Sequence, residues 1–132
     1  MKPKSSIRAV LVVDDDDAIR ELVATMLTDA GYTVRTAADG STAVALARAT
    51  KPALVLMDIN LPRLDGLSAC RALHDDARTA RLPVMLMSAV PVRDQQLRAC
   101  RADSFLIKPF DIDRLLGEVA RYVTPGAVSA TG

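Results

Sequence analysis

Four short apolar runs, with almost no polar alternation, limit what this chain can fold into. They are Ile7–Val13 (broken only by Arg8), Ala53–Met57, Pro83–Met87 and Ser104–Ile107. Such runs read as strands buried on both faces, which belong to a parallel sheet sandwiched between helices. Each run ends in a chemically marked residue. Asp14 and Asp15 follow the first, Asp58 the second, Ser88 the third and Lys108 the fourth. In an open α/β sheet the carboxyl ends of the strands build the binding crevice.

Between the runs the pattern turns helical. Ile19, Leu22, Val23, Met26, Leu27 and Ala30 repeat at the helical period, and Gly31 stops the run. Tyr32–Ala37 alternates and reads as an edge strand. A short helix is expected over Ala43–Ala49 after the Asp39–Gly40 turn, another over Leu67–Asp76, and a poorly apolar one over Val92–Arg101. The last helix shows Ile112, Leu115, Leu116, Val119, Ala120 and Val123, with Asp111 as its cap. Five strand–helix units without a Gly-rich phosphate loop predict a doubly wound five-stranded parallel sheet. Right-handed crossovers and an edge second strand favour the flavodoxin-like order 2-1-3-4-5. The expected organisation is a flexible segment 1–6, one domain over 7–123 and a flexible tail 124–132.

Composition narrows the function. With 132 residues one domain is expected. Lys and Arg number 17 against 16 acids, so there is no basic footprint for nucleic acid or an anionic membrane. No run approaches the roughly 20 apolar residues that span a bilayer, and no signal-peptide stretch follows Met1. A cytoplasmic chain is expected. Cys70 and Cys100 are too few for a disulfide framework or zinc site and read as packed free thiols. His74, the single histidine, lies near a helix end, far in sequence from the crevice. It is expected at the surface and not as a phosphodonor.

In the order 2-1-3-4-5 the carboxyl ends of strands 1, 3, 4 and 5 are adjacent. Asp14, Asp15, Asp58, Ser88 and Lys108 therefore share one crevice. Carboxylates packed so closely repel unless a cation joins them, and an oxygen-only site suits Mg²⁺. Open positions on such a metal accept phosphate oxygens, with Ser88 and Lys108 as further donors. Asp58, central among these groups, is the candidate nucleophile for an acyl phosphate.

These residues carry a resemblance. "VLVVDDDDAIREL", "LVLMDINLPRLDGL", "VMLMSA" and "FLIKPF" resemble, in order and spacing, the motifs of response-regulator receiver domains of two-component signalling, such as the chemotaxis response regulators. The resemblance runs from about Ile7 to Val123. It implies a receiver phosphorylated on Asp58 by a histidine kinase or histidine phosphotransfer protein. Asp14, Asp15, Asp58 and the backbone carbonyl of Asn60 would hold Mg²⁺, with Asp15 the more direct ligand. Ser88 would follow the phosphoryl group, Phe105 would be the aromatic switch, and a cis Lys108–Pro109 bond would aim the lysine. The signal would leave through the last two helices to an unnamed target, or to a second copy of the chain. Beyond its own phosphorylation and dephosphorylation no enzyme activity is implied. The chain departs from the pattern at Arg101, where a Gly usually follows the fourth helix, and at Pro91 in the loop before that helix.

Two other classes compete. Asp14-x-Asp16 after a strand resembles the nucleophile motif of haloacid-dehalogenase-type phosphatases. That reading leaves Asp58 idle and places Asp111 and Asp113 poorly as metal ligands. A phosphorylation-independent interaction module is the third class. Asp16 and Asp17 read simply as acids at a helix start, favoured by the helix dipole.

Overall fold

The computed structural model describes residues 9–124. The chain alternates β1 (Ala9–Val13), α1 (Asp17–Asp29), β2 (Thr33–Ala37), α2 (Gly40–Thr50), β3 (Leu54–Asp58), α3 (Gly66–Asp75), β4 (Val84–Ser88), α4 (Asp94–Cys100), β5 (Ser104–Ile107) and α5 (Ile112–Ala120). All strand pairs are parallel and the sheet order is β2-β1-β3-β4-β5, as expected. The expected flexible segments at 1–6 and over most of 124–132 lie outside the described residues.

The two-residue period of a strand divides the core. Leu11, Val13, Val55, Met57, Val84 and Leu86 face α2, α3 and α4, where Ala43, Ala47, Ala69, Cys70, Leu73 and Cys100 meet them. Val10, Val12, Leu54, Leu56, Met85, Met87 and Leu106 face the other way, against Val23 and Leu27 of α1 and Leu115 and Val119 of α5. Both faces are covered, so β1, β3 and β4 show no exposed position. Each fully buried large aliphatic side chain stabilises by about 1.5–3 kcal/mol. β2 is one edge strand, with Thr33, Arg35 and Thr36 exposed. β5 is the other, and it departs from the expectation of burial on both faces because it has a neighbour on one side only and leaves Ile107 exposed. Tyr32, just before β2, is buried and donates its hydroxyl to the Val123 carbonyl at 3.1 Å.

Helix starts follow side-chain caps. Asp16, Asp39, Asp65 and Asp111 accept from the backbone N–H of Ile19, Thr42, Ser68 and Arg114, respectively. Asp39 thus begins α2 at Gly40, three residues earlier than expected. The Asp39–Gly40 pair that reads as a turn is instead the helix cap and its first residue. Asp16 is a cap and Asp17 a first-turn acid, as expected. α4 is the weakest helix, with only Cys100 buried.

His74 departs from expectation. It is buried, its side chain 5% exposed, between carbonyls of Leu82 and Cys100. The two cysteines are buried and free, as expected. Among the described residues no helix is long and apolar enough to cross a membrane.

α4 ends on Arg101, whose φ of 59° lies in the left-handed region. A Cβ there costs about 1–2 kcal/mol. The Arg101 guanidinium offsets part of this by donating to Asp75 Oδ1 at 2.6 Å. Arg101→Ala keeps the strain and loses the ion pair, whereas Arg101→Gly loses both. The glycine variant should be more stable than the alanine variant by about 1 kcal/mol in urea unfolding. Equal midpoints would show that the left-handed cap carries no strain.

Candidate functional site

The carboxyl edge of the sheet gathers the predicted residues. Asp14 follows β1, Asp58 ends β3, Ser88 ends β4 and Lys108 follows β5. The Lys108 Nζ donates to Asp14 Oδ2 at 3.0 Å and to Asp58 Oδ2 at 3.1 Å. Lys108 is itself held by its N–H, which donates to the Ser88 carbonyl at 2.8 Å. The Lys108–Pro109 peptide is cis, as expected.

Asp14 is buried, and its Oδ1 accepts from the Asp16 N–H at 3.0 Å. Asp15 is exposed, yet carboxylate oxygens of Asp14, Asp15 and Asp58 lie within 4.8 Å of one another. Among the described residues these three form the group of acids able to share a metal ion. Asn60 is exposed beside them, and its N–H donates to Asp58 Oδ1 at 3.4 Å. The all-oxygen donor set fits a hard cation.

Asp58 opens onto a cleft of about 260 Å³ that is also lined by Asn60, Ser88, Ala89, Val90 and Lys108. Burial raises the Asp58 carboxyl above the usual range, and the Asp14 charge adds to this. Bonds from Lys108 and the Asn60 N–H work in the opposite direction. The repulsion expected from sequence is present, but desolvation is the larger cause. Burial also opposes the charge on Lys108, yet its bonds to Asp14 and Asp58 outweigh that and hold the ammonium above its ordinary range.

The Ser88 hydroxyl is engaged by the Val90 backbone: Oγ donates to the Val90 carbonyl at 2.8 Å and accepts from the Val90 N–H at 3.1 Å. Phe105 pairs with Leu86 in register and is half-buried against the α2–α3–α4 side of the core. Strand alternation puts Ser88 on that same face.

Two supporting residues are not singled out by the sequence. Arg20 Nη1 donates to the Asp14 carbonyl at 2.7 Å, pinning the acid turn from the first turns of α1. Gly66 lets α3 begin against the strand end. A Cβ there would sit 2.3 Å from the Asp58 carbonyl oxygen, so α3 would have to move away. In sequence Gly66 carries only a loop signal, because its close neighbour is backbone.

For Asp58 the sign of the pH dependence follows from its raised pKa. The folded state holds the Asp58 proton more tightly than the unfolded chain does. Stability from this group is full below the unfolded value near 3.8 and falls as pH rises through the folded one. In EDTA, Asp58→Asn should therefore melt above the parent at neutral pH, and the gap should close toward acid. A gap independent of pH would show that charge burial is not the cause.

Comparison with known proteins agrees with this geometry. The family model for the response regulator receiver domain matches residues 10–120. The chain is 39% identical over 112 residues to the DNA-binding dual master transcriptional regulator RpaA of Synechocystis sp., covering 83% of this chain and 46% of that protein. It is also 39% identical over 112 residues to the response regulator PleD of Caulobacter vibrioides, covering 83% of this chain and 25% of that protein. The chain thus spans half or less of the length of these relatives. The chemotaxis response regulator CheY4 of Vibrio cholerae superposes with a TM-score of 0.82 at 32% identity, covering 89% of this chain and 99% of that one. The receiver domain of the sensor histidine kinase PA1611 of Pseudomonas aeruginosa, solved with a magnesium ion in its active-site cleft, superposes with a TM-score of 0.79 at 29% identity, covering 87% and 96%. By motif order, sheet topology and family match, this chain belongs to the response regulator receiver domains.

Proposed function

We propose that Asp58 is the phosphoacceptor of this receiver and that residues 7–123 are its working unit. The carrying observation is the placement of Asp58: its carboxylate lines the cleft, 3.1 Å from Lys108 and beside Asp14. A carboxylate oxygen of Asp58 attacks phosphorus, the bond from phosphorus to the donor nitrogen or oxygen breaks, and an acyl phosphate forms. Lys108 neutralises charge on the transferring group. Ser88 swings from Val90 to donate to a phosphoryl oxygen, and the space it leaves on that face admits Phe105. The donor is a histidine kinase or histidine phosphotransfer protein. The output face is that of the last two helices, α4 and α5, toward a target or a second copy of the chain. Apart from its own phosphorylation and dephosphorylation we assign no enzyme activity.

Asp14, Asp15, Asp58 and the Asn60 carbonyl are the residues that would hold Mg²⁺. When bound, Mg²⁺ supplies positive charge against the phosphoryl oxygens. The competing phosphatase reading needs Asp14 free to attack. Instead Asp14 is buried and does not line the cleft that Asp58 opens onto, and Asp111 is occupied as the cap of α5.

With Mg²⁺ and acetyl phosphate, the parent should take ³²P label and Asp58→Asn none. Undiminished labelling of the folded variant would overturn the assignment. Mg²⁺ should raise the melting temperature of the parent, and Asp15→Ala should lose most of that rise. An unchanged rise would remove Asp15 from the ligand set.

A further inference from the structure

His74 has no part in the phosphorylation chemistry, yet it is buried and fully engaged. Its Nδ1 is 3.0 Å from the Cys100 carbonyl oxygen and its Nε2 2.8 Å from the Leu82 carbonyl oxygen. Both partners are acceptors only. A neutral imidazole carries one N–H and can satisfy one of them, leaving a lone pair aimed at the other. An imidazolium carries two and satisfies both.

The surroundings also suit a cation. Cys100 is the last residue of α4, and its carbonyl lies at the negative end of that helix. From β5, Asp103 places Oδ2 3.6 Å from Nε2. On α3 itself Asp75 follows directly, but it is engaged by Arg101, the residue that caps α4. Arg81, from the segment before β4, lines the same small cleft with Arg101 and opposes the charge, though both are exposed. Cys70 on α3 and Cys100 on α4 complete the setting. Burial pushes the Cys70 thiol up, so it stays a neutral donor, to the Cys100 carbonyl at 3.3 Å.

Cys100 is the only buried residue of α4; Leu97 packs partly on the same core and the capping Arg101 bonds Asp75, so the helix is anchored mainly at its carboxyl end. We propose that His74 is a proton-operated clamp on the carboxyl end of α4. As an imidazolium it ties the Cys100 and Leu82 carbonyls together. As a neutral ring it keeps one of them and frees the other. In the neutral state that keeps Leu82, the Cys70 S–H can turn toward Nδ1, 3.8 Å away, so the Cys100 carbonyl can lose both donors. The clamp makes α4 sensitive to pH independently of phosphate and metal at Asp58.

The test is ¹⁵N NMR of the whole chain across a pH series from about 5 to about 8. The chain has a single histidine, so the ring signals are unambiguous. The expected result is two ring N–H groups at the acid end and one at the alkaline end. The amides of Leu97–Ala102 should titrate with the same midpoint. Their hydrogen-exchange protection, corrected for intrinsic rate, should fall roughly threefold to tenfold as the proton leaves, as for loss of one hydrogen bond. In His74→Gln the α4 amides should lose this pH dependence. Asp103→Asn serves where the glutamine variant does not fold. It should move the ring and α4 midpoints together toward acid. A ring whose proton count is constant over the range overturns the clamp. So do α4 amides that stay still, or that titrate apart from the ring.

Discussion

The site rests on one ammonium held between two acids. Asp14 and Asp58 belong to adjacent strands and are both buried, so their charges are costly without a cation. Lys108 supplies it from β5, two strands from β3. Neighbouring strands lie about 4.8 Å apart, so the lysine must bridge roughly 10 Å of sheet. β4, between them, ends at Ser88 and is followed by Ala89, both small residues. Both line the cleft beside Lys108. The chemistry of the strand ends is therefore a set: two acids, a short hydroxyl residue and a long cation, each sized by its place in the order β1-β3-β4-β5.

Gly66 and Arg20 set the frame around that set. Gly66 allows the amino end of α3 to press on the Asp58 backbone, and Arg20 ties the Asp14 carbonyl to α1. Asp58 is thus placed from the α3 side of the sheet and Asp14 from the α1 side. The cleft forms where the two helix layers part, which is the general location of ligand sites in open α/β sheets.

What was legible in sequence depended on local signals. The continuous apolar runs marked β1, β3, β4 and β5, and their end residues marked Asp14, Asp58, Ser88 and Lys108. Alternation in Tyr32–Ala37 marked the edge strand. The start of α2 is not legible because Asp39–Gly40 has the same composition whether it turns the chain or caps a helix. The burial of His74 is not legible because its partners, the carbonyls of Leu82 and Cys100, are backbone groups 8 and 26 residues away. No side-chain pattern announces a carbonyl. The same holds for Arg20, whose partner is also a backbone oxygen. The inward or outward turn of Ser88 depends on the Val90 backbone and is equally invisible in the residue string.

The two faces of the sheet are not equally firm, and this directs any movement that begins at the site. On one face Val23 and Leu27 of α1 and Leu115 and Val119 of α5 are sealed against the strands. On the other, α4 is a seven-residue helix with one buried side chain, joined to β4 by the loop that holds the Ser88 hydroxyl. Segments with few buried apolar contacts open at the lowest free energy. A change in the Ser88 bond to Val90 therefore pulls on the least firmly packed helix first. Phe105, half-buried against the same layer, lies on that side rather than toward α1. The resistance that remains at the far end of α4 comes from Cys100, where its carbonyl meets His74 and Cys70. Different groups thus bound the helix at its two ends: the Ser88–Val90 loop at its entrance, and the His74 ring with the Arg101–Asp75 pair at its exit.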